Sequence, residues 1–336
     1  MIHNRSQMLV LSGIPGCGKT TEAKLWVEEC KSVGIVAERI NYDDLRLEMF
    51  GPTWRWNRAD EAAMKARADL LARHALGRGN YVVIDNTNLT ERVRKHWEDL
   101  GKGCGADVVF QEIDTPIAEC KARDSLRTGS ARVGWAVIDW FALHRGFIDW
   151  NDRELYPRRL VICDMDGTLS DCEWRRKFVK GHTVHLDTCA IFKSSVVEQF
   201  VDGHCTSCHV PKFKKDWNSF FAGVGKDPIN KPVVELVQML YASYDLIIVS
   251  GRPIDKCGAA TEAWIKEHLV SRGIQIKHLF LRQSGDGRTD VEVKQEICDL
   301  LPLDRIAYVL DDRPSVIRMW QAAGLTTLSI GPLEEF

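Results

Sequence analysis

The sequence predicts an α/β protein of two doubly wound parallel-sheet domains, the second Rossmann-like and carrying a cap insert. Three observations carry that reading. Short apolar strands alternate with helices in both halves of the chain. Glycine-rich or acidic clusters stand at the carboxyl ends of those strands, where open parallel sheets place their ligands. The length of 336 residues accommodates two domains, expected at 1–156 and 157–336, each long enough to bury a core.

In order, Met8-Leu-Val-Leu-Ser is an apolar strand that runs directly into Gly13-Ile-Pro-Gly-Cys-Gly-Lys-Thr20. Thr20 to Lys31 then reads as a helix, and Ile35 to Ile40 as a second strand ending at Asn41-Tyr-Asp-Asp. Ala59 to Leu76 is rich in Ala, Leu, Lys and Arg, the composition of a long helix. Asn80 to Asp85 is a third strand, Thr90 to Leu100 a helix and Ala106 to Ile113 a fourth strand. Asp152-Arg-Glu-Leu-Tyr-Pro-Arg-Arg reads as the junction. Beyond it, Leu160-Val-Ile-Cys-Asp164, Asp245 to Ser250 and Ile306 to Asp311 are strands with functional groups at their carboxyl ends. Residues 170–230, polar and irregular, read as a cap over the second sheet.

Composition sets limits. A chain 45% hydrophobic and 27% charged is globular and not disordered. With a net charge of −2 neither half is broadly basic, so a nucleic-acid partner would meet positive charge confined to a groove. The N-terminal residues lack a secretory leader pattern, and no apolar run approaches the roughly 18 residues of a membrane span. The 11 cysteines are odd in number and scattered, which fits reduced thiols and a cytoplasmic location.

The first glycine-rich loop has the pattern G-x-x-x-x-G-K-[ST] between a strand and a helix. Gly13, Gly16 and Gly18 let the backbone of the loop, Cys17 and Thr21 included, turn its N–H groups toward phosphate oxygens. Lys19 reaches the outer phosphates of ATP or another nucleoside triphosphate, and the Thr20 hydroxyl can ligate Mg²⁺. At the next strand end, Asp43 is placed to deprotonate an acceptor hydroxyl, although the same run also reads as a helix cap. Arg46, one turn on, can hold an acceptor phosphate or be a solvated arginine. Asp85, Asn86 and Thr87 can contact the metal or the acceptor, or form a turn. Arg123 and Arg127 share a helix face, as a lid over transferring charge or as a plain charged surface.

In the second half, Asp164 and Asp166 flank Met165 at a strand end. Asp164 would attack phosphorus and form an aspartyl-phosphate, while Asp166 protonates the leaving oxygen and later activates water. Ser250 would bind phosphoryl oxygens and Lys294 neutralise the nucleophile. Asp164, Asp166, Asp311 and Asp312 offer oxygen ligands for a second Mg²⁺.

These residues resemble the bacteriophage-type polynucleotide 5′-kinase/3′-phosphatase family, a P-loop kinase fused to a haloacid-dehalogenase-type phosphatase. The resemblance covers nearly the whole chain outside the cap. It implies Lys19 and Thr20 as loop residues, Asp43 as base, Arg46 as acceptor-phosphate ligand and Arg127 as lid arginine. The run from Arg282 to Ile297 implies Arg282, Arg288, Asp290 and Lys294 as phosphatase-site residues, and Ser250-Gly-Arg252 and Asp311-Asp-Arg313 also match. The implied activity is a two-ended repair of broken RNA or DNA. ATP phosphorylates the 5′-hydroxyl, a 3′-phosphate or 2′,3′-cyclic phosphate is removed, and a partner ligase seals the ends. A homo-oligomer is compatible with this. The alternative is a bifunctional enzyme that phosphorylates and dephosphorylates a small molecule.

Two regions depart from the family. Asp85-Asn86-Thr87-Asn88 places its aspartate one position early. The long insert contains His204-Cys205-Thr-Ser-Cys208-His209, whose spacing suits a structural zinc or an ordinary loop, with Cys172, His182, His185 and Cys189 nearby. Trp54 and Trp56 are candidates for stacking on substrate. Arg175, Arg176, Lys177 and Lys180 are candidates for a phosphate backbone, or a solvated surface.

Overall fold

The computed structural model describes residues 5–181, 184–190 and 200–331. The chain divides into two compact units, Met1–Phe147 and Ile148–Phe336.

The first unit is built on four parallel strands, β1 (Gln7–Ser12), β2 (Ala37–Ile40), β3 (Tyr81–Asp85) and β4 (Asp107–Glu112), in the order β2-β3-β1-β4. β1 is interior, so its apolar run is buried on both faces. Successive side chains of a strand point to opposite faces. Met8 and Val10 therefore join Trp97, Met64 and Val82 in one core, while Leu9 and Leu11 join Ala23 and Val83 in another. The helices are α1 (Lys19–Ser32), α2 (Tyr42–Phe50), α3 (Arg58–Gly77), α4 (Glu91–Gly103), α5 (Ile117–Ser125) and α6 (Trp135–His144). Asn41 caps α2 through its side-chain oxygen, which accepts from the Asp43 and Asp44 amides.

The second unit has five parallel strands in the order β11-β10-β5-β8-β9. They are β5 (Leu160–Cys163), β8 (Asp245–Pro253), β9 (Ile276–Arg282), β10 (Ile306–Asp311) and β11 (Thr327–Ser329). All four residues of β5 are buried, as an interior strand requires. Short helix α7 (Glu173–Arg176) opens the insert, the hairpin β6 (Phe200–Val201) and β7 (His204–Cys205) stands within it, and α8 (Trp217–Ala222) closes it. Helices α9 (Lys231–Tyr241), α10 (Ile254–His268), α11 (Asp290–Cys298) and α12 (Pro314–Ala322) cover the sheet. Trp150 and Tyr156 pack with His278, and the Tyr156 hydroxyl lies 2.6 Å from His278 Nε2. This anchoring of residues 150–156 to β9 accounts for a division that falls before the Asp152–Arg159 run.

Candidate active sites

The loop between β1 and α1 is closed around its own lysine. The buried Lys19 Nζ donates to the Gly13 carbonyl at 3.0 Å and to the Ile14 carbonyl at 2.9 Å. Gly16 has φ 87°, and a Cβ there would lie 2.6 Å from the Cys120 carbonyl oxygen, so glycine is required at this approach. The Gly13 amide donates to the Thr87 carbonyl at 3.1 Å, which ties the loop to the end of β3. Arg123 on α5 donates to the Cys17 carbonyl at 3.1 Å and pairs with Glu119. Arg127 lies just beyond α5, half-exposed and 3.8 Å from Asp124. Cys17 is buried, while Thr20 and Thr21 are exposed at the start of α1.

Beside the loop, α2 presents an acid and a base together. The exposed Asp43 carboxylate meets Arg46 Nη1 at 2.6 Å. Glu61 on α3 grips Arg46 with two hydrogen bonds of 3.0 Å, the bidentate geometry that fixes a guanidinium. Asp85 is placed otherwise than its strand-end position suggested. It is 1% exposed and engaged by Arg39 at 2.7 and 2.8 Å and by Asn41, so its carboxylate orients the β2–α2 turn rather than facing a ligand. Asn86 accepts from the Tyr42 amide at 2.8 Å and keeps its buried Nδ2 without a hydrogen-bond partner, a donor available to an incoming oxygen. Trp54 donates to Asp60 and stacks on Phe50, whereas Trp56 is exposed.

In the second unit, a cavity of about 410 Å³ opens at the carboxyl ends of β5, β8 and β9. Asp164, Asp166, Ser250, Arg282, Arg288, Asp290 and Arg313 line it on one side, and Trp217, Phe220 and Phe221 of α8 on another. Lys294, 1% exposed on α11, places Nζ 2.9 Å from both Asp164 Oδ1 and Asp311 Oδ2 and 3.6 Å from Asp290. Burial opposes its charge, but Asp164, Asp290 and Asp311 outweigh that and raise its pKa.

Asp164, Asp311 and Asp312 bring carboxylate oxygens within 4.8 Å of one another, all buried. Burial pushes Asp164 up to about 8; Lys294 opposes the rise, and Asp311, Asp290 and Asp312 add to it. Burial and Asp311 push Asp312 up to about 7. Three crowded carboxylates with one ammonium fit a hard divalent cation, which would relieve their repulsion. Gly167 permits the crowding, since at φ 83° its Cβ would lie 2.1 Å from Asp312 Oδ2.

The Asp166 carboxylate is not among these oxygens, which corrects its expected place in the metal set. Arg252 and Arg175 hold it through Oδ1. Burial opposes its ionisation, yet those two guanidinium groups keep its pKa at about 2. Arg252, expected on the substrate, lines the cavity with its side chain nearly all buried, and Arg175, a candidate for a phosphate backbone or a solvated surface, is buried. Both pair with the fully buried Asp227, at 3.1 and 2.6 Å. Arg176 is buried against Asp312 at 3.2 Å, so neither α7 arginine is a surface contact; Lys177 and Lys180 are exposed. Arg282 donates to the Gly251 carbonyl at 2.9 Å and lies 3.5 Å from Asp290, and Arg288 is half-exposed against Asp286 and Glu296.

A model of the PNKP polynucleotide kinase phosphatase domain matches residues 212–333, and an AAA domain model matches residues 8–144. The two matches fall one in each unit, and each spans less than half of the chain. A protein of Autographa californica nuclear polyhedrosis virus, assigned as a bifunctional polynucleotide kinase/RNA ligase, is 24% identical over 344 residues. That alignment covers 96% of this chain and 42% of the viral protein, so the chain spans less than half of that relative. A chain of the solved Pnkp1/Rnl/Hen1 complex is 20% identical, with 98% of each chain covered and a TM-score of 0.34. The Mycobacterium tuberculosis APS kinase CysC is 24% identical over 36% of this chain and 70% of its own, with a TM-score of 0.32.

In the second unit, Asp227, which anchors Arg175 and Arg252, was not apparent from sequence. In the first unit, Arg39 and Glu61 were not apparent either. The insert's expected cluster is also revised. His204 and His209 are exposed, and His204 Nδ1 lies 3.1 Å from the Asp202 carbonyl. His185 and Cys189 instead join Cys205 and Cys208. Cys172 is buried beside Arg176, and His182 lies outside the described residues. No helix among the described residues is long and apolar enough to cross a membrane.

Proposed function

We propose that the chain heals broken nucleic-acid ends, phosphorylating a 5′-hydroxyl with ATP and removing a 3′-phosphate. The observation that carries this is the aspartate site of the second unit, which gathers nucleophile, ammonium and acid; Ser250, Lys294, Asp311 and Asp312 fall within residues 212–333 matched by the polynucleotide kinase phosphatase model, and Asp164 and Asp166 precede them. In the kinase domain, Lys19 leaves the loop carbonyls for the outer phosphates of ATP, and Thr20 would hold Mg²⁺. Asp43 takes the proton of the 5′-hydroxyl as the oxygen attacks the γ-phosphorus, while Arg46 binds the strand's nearest phosphate. Arg123 and Arg127 stabilise the transferring charge.

In the phosphatase domain, Asp164 attacks the 3′-phosphate and the ribose oxygen leaves with a proton from Asp166. Water, deprotonated by Asp166, then releases phosphate from the aspartyl ester. Asp166 is ionised in the resting site; the approach of the phosphate dianion raises its proton affinity. Ser250 and Lys294 bind the phosphoryl oxygens. Mg²⁺ held by Asp164, Asp311 and Asp312 would neutralise the phosphate as charge moves onto the leaving oxygen. The two reactions touch opposite sides of one break, so they do not cancel. Their products, a 5′-phosphate and a 3′-hydroxyl, suit a ligase partner.

Matched RNA and DNA oligonucleotides with 5′-hydroxyl, 3′-phosphate or 2′,3′-cyclic phosphate ends test the reading. Lys19→Ala should abolish label transfer from ATP and spare phosphate release, and Asp164→Asn the reverse. Labelling of a nucleoside or sugar in place of every oligonucleotide would instead establish a small-molecule kinase/phosphatase.

A further inference from the structure

The insert is closed at its base by a hydrogen bond of 2.8 Å from the Asp216 amide to the Phe178 carbonyl. Its described residues provide little apolar core: Val184 and Val201 are 83% and 63% exposed. A segment that buries so little apolar surface needs another kind of cross-link. What converges inside it is sulfur. Cys189 and Cys205 are buried, and Cys208 and His185 are half-buried.

Cys189 Sγ lies 3.8 Å from Cys205 Sγ, and His185 Nδ1 lies 3.2 Å from Cys208 Sγ and 3.4 Å from Cys189 Sγ. A tetrahedron built on Zn–S of about 2.3 Å and Zn–N of about 2.05 Å has S···S edges of about 3.8 Å and N···S edges of about 3.5 Å. The observed separations match those edges. All four ligand atoms fall within 4.8 Å of one another, as one shared ion requires.

The backbone is arranged to the same end. Phe200 pairs with Cys205 and Val201 with His204 across a turn at Asp202 and Gly203, both at positive φ. The chain then doubles back, the Cys205 amide donating to the Val210 carbonyl and the His209 amide to the Cys205 carbonyl, each at 2.9 Å. The Ser207 amide donates to Cys205 Sγ at 3.4 Å, a contact that favours a thiolate.

We propose that His185, Cys189, Cys205 and Cys208 form a structural zinc site that locks the insert. Each cysteine loses its proton to solvent and its thiolate donates an electron pair to Zn²⁺; the neutral His185 donates from Nδ1. Four protein ligands leave no open position, so the site is structural and not catalytic. The locked segment leads directly into α8, whose aromatic side chains wall the phosphatase cavity.

The test is metal analysis of the full-length protein purified in reducing buffer without chelator. One zinc and no iron per chain is expected. Cys205→Ser and His185→Ala should lower zinc occupancy at least about tenfold, whereas His204→Ala and His209→Ala retain it. Because the first pair can also disturb folding of the insert, wild-type protein stripped anaerobically of metal is titrated with Co²⁺. A one-to-one complex with sulfur-to-cobalt charge transfer and intense tetrahedral d–d absorption, displaced by Zn²⁺, supports the site. Wild-type protein with neither zinc nor a cobalt–thiolate spectrum overturns it. So does stoichiometric iron, or zinc lost on changing His204 or His209 but kept on changing His185.

Discussion

Asp227→Asn isolates the importance of a residue that no reaction step touches. The substitution keeps the shape and removes one negative charge from a buried cluster in which two guanidinium groups face two carboxylates. Asp227 accepts from Arg175 Nε at 2.8 Å and Nη2 at 2.6 Å, from Arg252 Nη2 at 3.1 Å, from Trp174 at 3.0 Å and from Ser170 at 3.3 Å. Arg175, Arg252 and Asp227 side chains are all 0% exposed, so water cannot replace the lost partner. Removing one partner of a buried ion pair costs about 3–5 kcal/mol. At about 2–4 °C per kcal/mol for a domain of this size, the transition of the second unit should fall by roughly 6–20 °C. Both arginines would also lean further on Asp166, so phosphatase activity should drop while label transfer from ATP is unchanged. Scanning calorimetry, with residual activities measured after heating, reads both. A shift under about 3 °C with full phosphatase activity would refute the charge argument.

Gly16→Ala should lower kinase activity about 100-fold or more, because its Cβ would displace the loop from the Cys120 carbonyl; the phosphatase rate is the internal control. Glu61→Gln should raise KM for a 5′-hydroxyl oligonucleotide about tenfold with a smaller effect on KM for ATP, since Arg46 loses its bidentate anchor. The pKa values of Asp164 and Asp312, raised to about 8 and 7, set a pH dependence. Their folded forms hold protons that the unfolded chain releases near pH 4, so stability is full below about 4 and declines as pH rises toward 8. In metal-free buffer the phosphatase melting temperature should therefore fall between pH 5 and 8, and Mg²⁺ should remove most of that fall. A flat profile without metal would contradict the crowding of the three carboxylates.

The two phosphate motifs were legible because each is local. Gly13 to Thr20 and Asp164 to Asp166 need only a strand, a turn and the residues in between. The partners that set their electrostatics were not, because they arrive from distant segments: Asp227 reaches Arg175 and Arg252, Glu61 reaches Arg46, and Arg39 reaches Asp85. Arg252 read as a ligand contact from its place after Ser250 and does line the cavity, but its pairing with Asp166 and Asp227 is invisible in a lone Ser-Gly-Arg. Cys205 and Cys208 announced themselves by spacing, but His185 and Cys189 lie upstream with no motif. The flanking histidines, nearer in sequence, drew the assignment instead. Strands β6, β7, β9 and β11 and helices α6 to α12 also went unassigned, while the interior strands β1 and β5 stood out as unbroken apolar runs.

The Lys19 contacts make nucleotide capture an exchange rather than a filling of space. In the resting loop the ammonium already has two carbonyl partners. A ligand gains the lysine only if it offers something stronger than those carbonyls. Anionic phosphate oxygens do, because a hydrogen bond between charged groups is roughly twice as strong as a neutral one, while the uncharged hydroxyls of a nucleoside do not. The two carbonyls therefore set a threshold for the loop, and a ligand must outcompete both before the ammonium turns to it.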